Sequence, residues 1–256
     1  MDLFASDLHL SSATPALNAA FVTLLEGRAH DAARVFLLGD LFEVWAGDED
    51  VDRPEFRAII AALRGLTDAG IDLHVLPGNR DFLLGAGFRD ATGARLHGDW
   101  LLCDLAGTPA LLMHGDTLCT DDLPYQQFRR MVRSTDWQHA FLARPLAERH
   151  AIAEDLRRRS QQATAGKGEY LLDANDDAIA SVLRHHDVAL LIHGHTHRPA
   201  RHRHTVDGHE HVRWVLADWR DRPCWVEADG DGLHAFTTDD NGAVSPDRRY
   251  EQLRIT

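Results

Sequence analysis

Residues 1–9, Met1-Asp2-Leu3-Phe4-Ala5-Ser6-Asp7-Leu8-His9, begin as an apolar run and end on two side chains that can ligate a cation. Met1 to Ser6 reads as a short buried strand, Pro15 to His30 carries apolar residues at helical spacing, and Arg34 to Gly39 is a second apolar run that stops at Asp40. Strand, helix, strand is the unit of a sheet covered by helices. The order recurs, with Phe56 to Asp68 reading as helix and Ile71 to Pro77 as strand, and Leu101 to Asp104 and Pro109 to Met113 continue the sheet. The expected class is α/β (α+β).

From Leu123 to about Lys167 the pattern changes to helix upon helix, with Phe128, Met131, Val132, Trp137, Phe141, Leu142, Leu146 and Ile152 set among many arginines. This reads as a helical insertion. A helix near Asp176 to His186 and a strand over Ala189 to Ile192 follow, then short apolar runs at Val212 to Leu216, Cys224 to Val226 and Leu233 to Phe236 that suggest antiparallel strands. The carboxyl tail is polar and carries no pattern.

With 256 residues, 44% hydrophobic and 26% charged, the chain can bury one sizeable core. A net charge of −13 disfavours broad contact with nucleic acid, whose affinity rests on many basic contacts to phosphates. No run approaches the roughly 20 apolar residues of a membrane span, and the amino terminus lacks the order of a signal peptide, so a cytoplasmic home is expected. Cys103, Cys119 and Cys224 are too far apart for a thiolate site and read as buried thiols. Lys167 is the single lysine among 27 basic residues. Nothing points to an obligate protein partner.

Every candidate ligand falls at the end of an expected strand: Asp7 and His9 after the first, Asp40 after the second, Asn79 after the third, then His114, and then His195 and His197. Carboxyl ends of strands in open α/β sheets are where loops converge on ligands. Spacing by one residue can aim Asp7 with His9, and His195 with His197, into one pocket if the chain is extended there. Each residue taken alone has a bland reading: Asp7 could cap a turn, Asp40 could be a loop carboxylate, and Asn79 could form the turn after Pro77 and Gly78. The seven together suit two divalent ions, since mixed oxygen and imidazole donors fit Mn²⁺, Fe²⁺ or Zn²⁺ better than Ca²⁺.

The motifs Asp7-Leu8-His9, Gly39-Asp40, Gly78-Asn79-Arg80-Asp81, His114-Gly115-Asp116 and Gly194-His195-Thr196-His197 resemble those of the calcineurin-like metallophosphoesterases. That resemblance implies a β-sandwich flanked by helices, with Asp40 bridging two ions. Asp7, His9 and His197 would complete one ion's ligands, and Asn79, His114 and His195 the other's. Most members of the superfamily have His where this chain has Arg80. An always-charged guanidinium is no general acid but can grip a phosphate oxygen.

Leu118-Cys119-Thr120-Asp121-Asp122, Tyr125-Gln126, Phe128-Arg129, Phe141-Leu142, Pro145-Leu146, Arg157, Ser160 and Lys167 are similar to the helical cap of the UDP-2,3-diacylglucosamine pyrophosphohydrolase family of lipid A biosynthesis. The similarity spans roughly Asp2 to Pro199. It implies a core of residues 1–120 and 169–256 with a cap over 121–168. The implied reaction is hydrolysis of UDP-2,3-diacylglucosamine to UMP and 2,3-diacylglucosamine 1-phosphate by water attacking the α-phosphorus. Asp40, Asn79, Arg80, His114 and His195 would be catalytic, and Asn79, Arg80, Asp122, Ser160, Thr164, Lys167 and His195 would contact substrate. Thr164 stands where the family pattern has Asn. Two Mn²⁺ ions and peripheral association with the cytoplasmic face of the inner membrane are also implied. The alternative is a dinuclear phosphodiesterase or nucleotide pyrophosphatase acting on soluble substrates, because the metal centre alone does not select the substrate.

Overall fold

The computed structural model describes residues 1–165, 173–239, 242–251 and 253–255. In chain order its elements are β1 (Asp2–Ala5), α1 (Pro15–Glu26), β2 (Arg34–Leu38), α2 (Arg57–Asp68), β3 (Asp72–Leu76), α3 (Ala86–Thr92), β4 (Arg95–Leu96), β5 (Trp100–Leu105) and β6 (Thr108–Met113). The helices α4 (Leu123–Val132), α5 (Thr135–Leu142), α6 (Leu146–Ala165) and α7 (Asp176–His186) follow. The rest is β7 (Leu190–His193), β8 (Ala200–Val206), β9 (His209–Val215), β10 (Cys224–Asp229), β11 (Gly232–Thr238), β12 (Val244–Pro246) and β13 (Leu253–Ile255).

Two sheets form, ordered β12-β11-β10-β1-β2-β3-β4 and β13-β8-β9-β7-β6-β5. In the first, β1 to β4 run parallel, and β10 joins β1 antiparallel. In the second, β6, β7 and β9 run parallel with antiparallel neighbours on either side. Strands buried on both faces read as unbroken apolar runs, which is why β1, β2 and β7 lack polar alternation. Phe4, Phe36, Leu38, Leu112, Ile192, Trp214 and Val226 fill the space between the sheets. Leu3, Ala5, Val35, Leu37 and Val75 on the other face of the first sheet meet Phe21, Leu25, Ile59 and Leu63 of α1 and α2. On the far side, Leu111, Met113 and Leu191 meet Ile179 and Leu183 of α7. The result is the expected sandwich between helical layers.

The first helix stops at Glu26, and a 3₁₀ turn over Arg28–Asp31 replaces its expected last turn because Gly27 departs from helical geometry. The short α3, the strand β8 and the tail elements β12 and β13 have no counterpart in the sequence reading. The segment from Leu123 breaks into three helices at identifiable points. Asp122 caps α4 by accepting from Tyr125 N, Ser134 caps α5 by accepting from Trp137 N, and Pro145 precedes α6.

This helical segment is tied to the sandwich through α4 and through the start of α6. Tyr125 Oη and Arg129 Nε donate to buried Asp116 at 2.7 and 2.6 Å, and Arg133, just after α4, donates to the Gly78 carbonyl at 2.9 Å. On α6 Arg149 donates to Ala46 O, and His150 pairs at 2.7 Å with the fully buried Asp50. Cys119 and Cys224 are buried thiols, pushed up to about 12 by burial, whereas Cys103 on an edge strand is only partly covered.

Candidate metal centre

The parallel strands deliver the seven expected ligands to one place. Around one position, Asp7 Oδ1 is 3.2 Å from His197 Nε2, His9 Nε2 is 3.5 Å from His197 Nε2, and His9 Nε2 is 3.9 Å from Asp40 Oδ2. Around a second, Asn79 Oδ1 lies 3.0 Å from His114 Nε2 and 2.9 Å from His195 Nδ1, and His114 Nε2 is 3.7 Å from Asp40 Oδ1. Asp40 faces both groups, one carboxylate oxygen to each.

The convergence does not come from alternation along extended chain. Asp7, His9, Asp40, His195 and His197 all have φ between 51° and 67°, in the left-handed region that non-glycine residues seldom occupy. Each strand ends and the backbone turns sharply at the ligand itself, a strain that the surrounding structure must hold. Close approach adds a second constraint. A Cβ on Gly78 would stand 2.1 Å from Asp40 Oδ1, and one on Gly194 would stand 2.1 Å from Asp7 Oδ2.

Polar groups behind the ligands orient them. Ser6 Oγ and His195 N donate to Asp7 Oδ2 at 2.7 and 2.9 Å, leaving Oδ1 turned inward. His114 Nδ1 sits 2.9 Å from Leu38 O, so that nitrogen is the donor and Nε2 keeps its lone pair for the centre. The Asp81 carboxylate accepts from Gly78 N and Leu41 N, both at 2.7 Å, and from Asp40 N at 3.3 Å, so it joins the Asp40 loop to the Asn79 loop. Burial and the Asp40 charge raise the Asp81 carboxyl, against these backbone donors. Glu43 Oε2 is 2.9 Å from His9 Nδ1, and Asp218 Oδ2 is 3.5 Å from His197 Nδ1.

The electrostatics suit a cation. Burial alone would raise Asp7, yet the His197 contact and the charges of His114, His197 and His9 hold it well below the usual range. His9 is opposed by burial, but Glu43, Asp40 and Asp7 carry it up to about 9, whereas burial and His114 bring His195 down to about 4. Without a cation, His9 therefore retains a proton at neutral pH. A metal must displace it, so affinity for the ion at His9 should weaken as pH falls below about 9. Calorimetry in buffers of different ionisation enthalpy should find about one proton released on filling the His9 site at pH 7.5. An uptake with no proton release would contradict this electrostatic reading.

These residues fit the two divalent ions that the ligand set implies. The ligand atoms of Asp7, His9 and His197, and those of Asp7, Asp40 and His114, lie within 4.8 Å of one another, with imidazole nitrogens facing each other rather than facing donors. Beside them, the buried Arg80 Nε has no hydrogen-bond partner among the described residues.

Two cavities meet at Arg80. One of about 740 Å³ is lined by polar groups including Ser11, Thr14, Arg53, Arg157 and Arg220. The other, of about 100 Å³, is walled by Trp45, Phe82, Leu83, Phe128, Trp137 and Phe141. Ser160 lies on both.

Comparison with known proteins agrees with this layout. Residues 3–199 match the calcineurin-like phosphoesterase family. A UDP-2,3-diacylglucosamine hydrolase of Aromatoleum aromaticum is 48% identical over 230 residues, covering 90% of this chain and 94% of that protein. The chain belongs to the UDP-2,3-diacylglucosamine hydrolase family of calcineurin-like phosphoesterases. Proteins of the same name from Cellvibrio japonicus, at 45% identity over 90% of this chain and 96% of theirs, and from Chromobacterium violaceum, at 49% over 84% and 89%, lead to the same placement.

Asp122 is buried and its carboxylate caps α4. The Thr164 side chain and all of Lys167 lie outside the described residues. The sequence reading gave no role to Glu43, Asp81, Asp116 or Asp218. Asp81 and Asp116 were visible as the ends of the Asn79 and His114 motifs, but Glu43 and Asp218 carry no local signal, because what they do depends on contacts distant in sequence.

Proposed function

We propose that the chain hydrolyses UDP-2,3-diacylglucosamine to UMP and 2,3-diacylglucosamine 1-phosphate, with 121–168 as the cap over the reaction. The observation that carries this is the meeting at Arg80, beside the metal ligands, of a large cavity lined by Arg53, Arg157 and Arg220 with a small aromatic one, a shape suited to an amphiphilic sugar nucleotide. The nucleotide would take the larger cavity and the acyl chains the aromatic one.

Asp7, His9, His197 and Asp40 would hold one Mn²⁺, and Asp40, Asn79, His114 and His195 the other. When bound, the pair supplies an acidified water and neutralises phosphate oxygens. The chain's own residues do the rest. Asp40 is held by Arg80 N at 2.8 Å and by the Asp81 network, so both ligand loops keep one geometry. Oxygen from water bonds to the α-phosphorus, the bond to the bridging oxygen breaks, and the sugar 1-phosphate departs. That leaving group is a phosphate monoester with a second pKa of about 6, so it needs charge stabilisation more than a proton. The Arg80 guanidinium supplies it, and Arg80→Ala should lower kcat by about a hundredfold with two metals still bound.

At about 100 Å³ the aromatic cavity holds the volume of only a few waters, so acyl chains must widen it by shifting the cap. Among the described residues no helix is long and apolar enough to cross a membrane. Leu123 and Met131 of α4 are 66% and 49% exposed, and with the arginines of the cap they would meet an anionic membrane surface. Anionic vesicles should bring the protein up in flotation at low salt, and complete retention in the soluble fraction would exclude that contact. The substrate reading is tested by comparing rates on UDP-2,3-diacylglucosamine and on simple nucleotide diesters. Faster turnover of the diesters would favour a phosphodiesterase of soluble substrates.

A further inference from the structure

Glu43 follows β2 by five residues and belongs to no ligand motif, yet it borders both cavities. Its two carboxylate oxygens face opposite ways. Oε2 lies 2.9 Å from Nδ1 of His9, whose Nε2 faces His197 and Asp40. Oε1 lies 2.7 Å from Nε of Arg157 on α6, the last helix of the cap. Glu43 and His9 are mostly buried, at 14% and 13% side-chain exposure, so water screens their contact little, whereas Arg157 is 41% exposed. Both are close charge contacts rather than aligned hydrogen bonds.

We propose that Glu43 is a positioning residue that couples the cap to the metal centre, holding the His9 ring with one oxygen and α6 with the other. This rests on the reading of Asp7, His9, His197 and Asp40 as a metal site. A carboxylate behind a metal-bound histidine fixes the ring's tautomer and orientation and raises its basicity. His114 has a backbone carbonyl in that place, so the two sites are backed differently. Because Glu43 also holds Arg157, metal in the His9 site stabilises docked α6, and docked α6 strengthens metal binding there by the same factor, as reciprocity requires. Substrate that shifts the cap would then alter the grip on one ion and leave the other as it was. Arg149 and His150 also tie α6 down, but they reach residues 46–50 and bypass the metal ligands.

The test uses the full chain stripped of metal, titrated with Mn²⁺ by calorimetry, with backbone hydrogen exchange across 146–160 measured in each state. Wild type should bind two Mn²⁺ and gain protection in α6. Glu43→Gln, which keeps shape and removes charge, should weaken one of the two sites by about 10- to 100-fold, leave the other unchanged and abolish the gain in protection. Arg157→Gln, at a half-exposed position where folding is not at stake, should also abolish the gain while still binding two Mn²⁺. Wild-type affinity for both ions in Glu43→Gln, or an α6 response to Mn²⁺ that survives in Arg157→Gln, would overturn the coupling. A wild type that takes up no Mn²⁺ would overturn the metal-site reading itself, and the coupling with it.

Discussion

Replacing Asp40 by Ala is expected to lower UMP release from UDP-2,3-diacylglucosamine by more than about a thousandfold, because Asp40 turns one carboxylate oxygen to each of the two ligand groups. Its Oδ2 looks toward His9 and its Oδ1 toward His114, so deletion strips a negative donor from each position at once. Metal analysis should then find at most one ion per chain where the unaltered chain holds two. Full metal content with lost activity would show instead that Asp40 acts only on the substrate. Unchanged activity would remove the dinuclear reading.

Asp81→Ala is expected to be the most damaging change outside the ligands. Its carboxylate accepts two short bonds from Gly78 N and Leu41 N in a fully buried setting. Leaving a buried donor without a partner costs about 1–3 kcal/mol, so the pair amounts to about 2–6 kcal/mol of stability, measurable by denaturant unfolding. Activity should fall by about a hundredfold or more in whatever fraction stays folded, since a displacement of about 1 Å in the ligand loops is enough for that. A variant as stable as the parent would mean that water replaces the carboxylate.

Much of this arrangement was legible in the sequence because strands buried on both faces announce themselves as apolar runs, and each of these runs ends on a ligand. β1 with Asp7, β2 with Asp40 and β7 with His195 are all of this kind. The reason for convergence was not legible. Spacing by one residue suggested extended chain at Asp7 and His9, whereas both sit at left-handed φ, a conformation imposed by tertiary contacts. The tail strands β12 and β13 escaped notice because pairing at a sheet edge, rather than apolar content, defines them. Arg80 was legible as a departure from the superfamily pattern, and its orphaned Nε supports a ligand there. Glu43, Asp218 and the Arg149 anchor were invisible, since a charged residue gains meaning only from what lies across the fold from it.

Heavy-oxygen water settles the reaction most directly. With Mn²⁺ and UDP-2,3-diacylglucosamine, mass spectrometry of both products should find one labelled oxygen in UMP and none in 2,3-diacylglucosamine 1-phosphate. Label on the lipid phosphate, or no UMP at all, would contradict attack at the α-phosphorus by water activated among these seven ligands.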